Sequence, residues 1–146
     1  MRYFATSTNL KEQPPLPISE VETLSRFLPK SGFYGERSGN KAQVGLVKPS
    51  ALKPNRKTNP DSWSVYRTDW MSENEIVAAK SRLTKPVAAV AKLFPYYLKD
   101  LELKVVPEES KYKWHADVID WPHAGDARND LIALKLMHKI GKVEEY

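Results

Sequence analysis

The sequence contains no cysteine. That absence removes disulfides, thiolate metal sites and cysteine nucleophiles together, excludes zinc-finger folds, and makes the reducing cytoplasm the expected location. Long hydrophobic runs are also missing. No stretch approaches the roughly 20 apolar residues that span a bilayer, and the first seventeen residues, with Pro14, Pro15 and Pro17, have no apolar core of signal-peptide length, so no membrane association is expected. Glycine is scarce, at 6 residues. Gly32, Gly35, Gly39 and Gly45 match neither the P-loop nor the dinucleotide fingerprint, both of which need a strand before the glycines and a helix after them. Nucleotide-hydrolase readings lose their main support.

What the chain does contain is proline, 11 in 146 residues, and a positive charge that is unevenly spread. Lys30, Arg37, Lys41, Lys48, Lys53, Arg56 and Lys57 stand against the single acid Glu36 between residues 30 and 60, a net +6 where the whole chain carries +5. A basic excess confined to one Gly- and Pro-punctuated stretch attracts phosphate, whereas scattered charges mainly keep a protein soluble. The expected partner is a polyanion: nucleic acid, or an acidic protein surface.

At this length one domain suffices, and 41% apolar with 28% charged residues describes a globular chain. Residues 1–17 are expected to form an extended N-terminal arm, and residues 18–146 a single α+β domain with the basic loop region 30–60. Ser19 and Glu22 have capping-box spacing, and Val21, Leu24 and Phe27 or Leu28 recur at helical intervals, so a first short helix is predicted up to Pro29. A short strand is expected at 43–47, and a firmer one at Trp63-Ser64-Val65-Tyr66-Arg67. Ser72 and Glu75 form a second capping box, with Met71 and Ile76 as its staple, which starts a helix at Glu73 that runs to about Leu83. After Thr84-Lys85-Pro86 a further helix is predicted to bury Val87, Val90, Ala91 and Phe94. Alternation over 101–105 and the run 114–119 predict two more strands. A last helix carries Leu131, Leu134, Ile132, Leu136 and Ile140 to Gly141. The expected architecture is a small three- to four-stranded sheet packed against about four short helices.

Ser25-Arg26-Phe27, Val47-Lys48-Pro49-Ser50-Ala51, Ser64-Val65-Tyr66-Arg67, Ser72-Glu73-Asn74-Glu75-Ile76 and His115-Ala116-Asp117-Val118-Ile119-Asp120-Trp121-Pro122 together resemble a group of small bacterial proteins without an assigned activity. In that group's pattern the last segment reads Arg-His-Ala-Asn, with Gly before Trp-Pro. Here Lys113-Trp114 precede His115, and Asp stands at 117 and 120. The resemblance implies a bacterial or phage origin and a single-domain body, and no activity.

Three classes of function are compatible with the residues. The preferred one is a non-catalytic accessory protein that binds nucleic acid or another phosphate-bearing partner through residues 30–67. Arg26, Lys48, Lys53, Arg56, Lys57 and Arg67 would meet phosphates, Lys48 and Arg67 foremost, with Phe33, Tyr34, Trp63 and Tyr66 for stacking. The second is a metal-independent ribonuclease or phosphodiesterase. His115 and Asp117 are two apart on a strand and share a face, where a carboxylate can orient an imidazole as general base. Such a pair is also a common structural contact. Ser64 and Ser72 lack the strained elbow of a serine nucleophile, and Ser72 is accounted for as a cap. The third is an inhibitor or immunity subunit docking through Trp70, Trp114, Trp121, Tyr96 and Tyr97. His115, Asp117, Asp120 and His123 have a spacing unlike any standard ligand set, so neither a metal nor a cofactor is expected.

Overall fold

Leu24, Phe27 and Leu28 belong to a strand, not to a helix. In the computed structural model, which describes residues 15–37, 39–55, 62–123 and 125–146, they lie on β1 (Leu24–Pro29). The Ser19–Glu22 box still closes a turn, with the Ser19 amide donating to Glu22 Oε2 at 2.8 Å, but Val21 is 74% exposed and the chain straightens after it. Both faces of β1 are covered, so its apolar residues do not alternate, and a short non-alternating run is ambiguous in sequence. The same ambiguity concerns 87–93, predicted helical. It is β3 (Val87–Leu93), with Ala89, Val90, Ala91 and Leu93 buried in the sheet interior.

The other strands are β2 (Trp63–Tyr66), β4 (Lys104–Pro107), β5 (His115–Ile119) and the two-residue β6 (Glu144–Glu145). The sheet is six-stranded, ordered β4-β5-β2-β1-β3-β6, and every ladder is antiparallel. The expectation of a three- to four-stranded sheet with about four short helices is therefore corrected. Among the described residues three α-helices accompany six strands: α1 (Glu73–Lys80), α2 (Pro95–Lys99) and α3 (Arg128–Ile140). Three strands are absent from the expectation: β1 and β3, whose unbroken apolar runs look helical in sequence, and β6, which closes one edge and is too short to leave a pattern. The strand expected at 43–47 is a 3₁₀ turn at Lys41–Gln43 followed by isolated bridges from Leu46 and Val47.

Helices cover both faces. On one, α1 begins with the predicted capping box, in which Glu75 N donates to Ser72 Oγ and Ser72 N to Glu75 Oε1. Its Ala79 packs with Phe27 and Val90 beneath Tyr66, Ile76, Leu83 and Val87. On the other, α3 and the 3₁₀ turn Pro49–Leu52 enclose the main core of Leu24, Leu28, Trp63, Val65, Ala91, Leu93, Val118 and Leu136. The buried side of α3 runs through Asn129, Ala133, Leu136 and Met137, so Leu131 and Leu134, expected in the stripe, are 51% and 42% exposed. Among the described residues no helix is long and apolar enough to cross a membrane.

Candidate functional site

The ladder between β1 and β2 consists of one pair, Ser25 with Tyr66, whereas β1 pairs with β3 along its length and β2 with β5 along its own. Beyond Ser25 the two strands separate. A cleft of about 540 Å³ opens there, lined by the consecutive β1 residues Ser25 to Pro29, by Ser64 and Tyr66 of β2, and by His115 of β5. Trp63 Nε1 donates to the Ala51 carbonyl at 2.8 Å, which ties the 3₁₀ turn carrying Ser50 and Ala51 to the cleft. The segment after α1 closes it with Arg82, Leu83, Thr84 and Lys85.

Arg26 is the inner cation. Its Nη1 donates to the Ser64 carbonyl at 3.0 Å, its guanidinium carbon lies 5.4 Å from the Trp63 ring, and its Nε is buried with no hydrogen-bond partner. Desolvation by burial pushes the guanidinium below its ordinary pKa, and Tyr66 partly offsets this. Among the described residues no carboxylate forms an ion pair with Arg26. Arg82 is exposed but held: its guanidinium carbon sits 3.6 Å from the centre of the Tyr112 ring, and its Nη1 donates to the Tyr66 hydroxyl at 3.0 Å. With Lys85 the lining carries, among the described residues, three cations and no Asp or Glu. A second cleft, of about 520 Å³, differs in kind, since Asp100, Glu102 and Asp120 line it together with Arg128 and Lys135.

His115 lines the cationic cleft with its ring edge-on to Tyr66, centroids 5.4 Å apart. Its Nδ1 is 2.9 Å from the Glu108 carbonyl, which can only accept, so Nδ1 carries the proton and Nε2 is the basic nitrogen of the neutral ring. The Glu108 carboxylate stands 3.5 Å from Nδ1 and is held below the usual range, chiefly by the Ser110 hydroxyl. Asp117 is not in the lining. It accepts a hydrogen bond from Ser64 Oγ at 3.3 Å, and burial raises its carboxyl pKa.

The six expected phosphate contacts therefore separate. Of the four that are described, Arg26 alone lines the cleft. Arg67 is 0% exposed and grips both oxygens of Glu22, at 2.7 and 3.0 Å, while its remaining donors reach the carbonyls of Leu16 and Pro17, so it holds the chain at 16–22 against β2 and has no access to a phosphate. Lys48 lies 5.7 Å from the Tyr34 ring, and Lys53 is paired with Asp130. Arg56, Lys57 and the arm up to residue 14 lie outside the described residues. In sequence Arg82 and Lys85 fall at the junction of two predicted helices, which hides them as site residues. The available signal was two cations flanking a Leu-Thr pair just before Pro86.

Of the aromatics considered as docking anchors, Trp70 is 48% exposed and stacks on Trp114 at 5.5 Å, Tyr96 is 42% exposed, and Trp121 packs on the main core with its Nε1 bonded to the Val118 carbonyl. Among the described residues no group of three or more His, Asp or Glu side chains is placed to hold a metal ion. Compared with protein-family models, curated proteins and solved structures, the chain has no significant match to any of them.

Proposed function

We propose that this protein binds a phosphate-bearing ligand, nucleic acid included, in the cleft between β1 and β2, without transforming it. The observation that carries the reading is a half-buried Arg26, with no ion-paired carboxylate among the described residues, lining the same space as Arg82 and Lys85. A buried cation without a counter-ion is costly, and a bound anion removes that cost. Four of the five segments named above for their resemblance supply lining residues, at 25–27, 50–51, 64 and 66, and 115. The described part of the loop region 30–60 contributes Ser31, Gly32, Ser50 and Ala51, none of them charged, while Arg26, Arg82 and Lys85 lie outside that region.

The test is fluorescence anisotropy with mixed-sequence, 5′-phosphorylated single-stranded oligonucleotides. Replacing both exposed cations, R82A with K85A, is expected to weaken binding about tenfold and to reduce the salt slope by about two. An unchanged affinity and slope would remove the cleft from the account. RNA recovered intact from the same incubations separates binding from cleavage by His115.

A further inference from the structure

The cleft is much larger than a phosphate group, so the rest of its lining bears on what else it accommodates. Phe27, Leu28, Pro29, Ala51 and Leu83 give it apolar surface, and Tyr66 adds an aromatic ring. Ser31, Ser50 and Thr84 add hydroxyls that can donate to or accept from a sugar. Arg82 matters most here. Tyr112 covers one face of its guanidinium and the Tyr66 hydroxyl fixes its edge, so a planar cation is held ready for stacking at the cleft while remaining exposed. Arginine planes and aromatic faces are the surfaces on which nucleobases stack. Arg26 is the less exposed of the lining arginines, and no described carboxylate pairs with it. Inorganic phosphate would leave the apolar part of the lining empty. A duplex does not enter a space of about 540 Å³, which is the size of a small-ligand site.

We infer that the cleft takes one nucleotide unit with a terminal phosphate, the phosphate on Arg26 and the base against the Arg82–Tyr112 stack. This rests on the reading of the cleft as a phosphate site and adds the organic part of the ligand. The same unit occurs as a free mononucleotide and as the phosphorylated end of a single strand, and the experiment separates the two.

Isothermal titration of the full chain uses five probes: inorganic phosphate, a mixture of nucleoside 5′-monophosphates, the corresponding nucleosides, and one mixed-sequence octanucleotide with either a 5′-phosphate or a 5′-hydroxyl. The monophosphates are expected to bind at least tenfold tighter than either phosphate or the nucleosides. If the strand end is the source, the 5′-phosphorylated octamer exceeds both the monophosphates and its 5′-hydroxyl form. If the free nucleotide is the source, the octamers bind no better than the monophosphates. R26A is expected to abolish the preference for phosphorylated probes. Because Arg26 is partly buried, Y112A serves as the second variant: it leaves the lining cations in place and should weaken monophosphate binding several-fold while sparing phosphate. Equal affinity for phosphate and monophosphates would overturn the nucleotide inference and leave the phosphate site standing. No binding of any phosphorylated probe would overturn both.

Discussion

Arg26 sits on β1 and Arg67 just after the neighbouring β2, and their surroundings separate them. Arg67 meets Glu22 in a bidentate pair with no exposure to solvent, so its charge is neutralised and every hydrogen bond it makes is internal. Truncating one partner of such a pair strands the other charge in the interior, which costs about 3–5 kcal/mol. R67A should therefore lower the unfolding free energy by an amount of that order, read from urea denaturation, and the double substitution of Arg67→Met with Glu22→Leu should recover much of it. Equal destabilisation by the single and double variants would show that the loss comes from packing and not from the stranded charge. Nothing in sequence distinguishes the two arginines: each lies in an apolar, strand-forming context, and the decisive fact is whether a carboxylate comes within reach from a distant part of the chain. Glu22, 45 residues away from Arg67, does so. No described residue does so for Arg26.

The elements that could be read locally were those with a signal in their own residues. The capping box at Ser72 formed as expected because both of its hydrogen bonds lie within four residues. The run 63–66, with Trp and Val at alternate positions, became β2 for the same reason. β1 and β3 were misread because a buried strand and a buried helix segment share an unbroken apolar composition, and only their neighbours in the sheet distinguish them. The end of α2 is another place where the element departs from local preference. Glu102 takes φ 61°, the left-handed region, as the Leu103 amide returns to the Leu98 carbonyl at 2.9 Å. A side chain there costs about 1–2 kcal/mol that glycine does not incur. E102G should raise the melting temperature by about 3 °C in a calorimetric scan, and E102V should lower it. No change in either variant would mean that this turn relaxes to another conformation.

At the scale of the whole molecule, the described basic residues of the stretch 30–60 differ in their surroundings. Lys53 is paired and Lys48 lies against Tyr34, while Lys30, Arg37 and Lys41 are exposed outside the cleft lining. Exposed charges outside a binding site act over a distance set by the ionic strength and govern encounter more than retention. R37A with K41A should therefore slow oligonucleotide association at low salt and leave dissociation unchanged in stopped-flow measurements, whereas the cleft variant R82A should speed dissociation. A faster dissociation in the loop variant would place phosphate contacts back in the region 30–60. From residues alone it followed that the chain forms a globular α+β body with a positive balance, no thiol chemistry and no apolar run able to span a bilayer, because composition and short-range pattern suffice for these. Where the positive charge is concentrated, which arginine is neutralised, and that β1 and β2 part after a single pair were decided in three dimensions. Each depends on groups far apart in the chain, and sequence spacing carries no information about which of them come into contact.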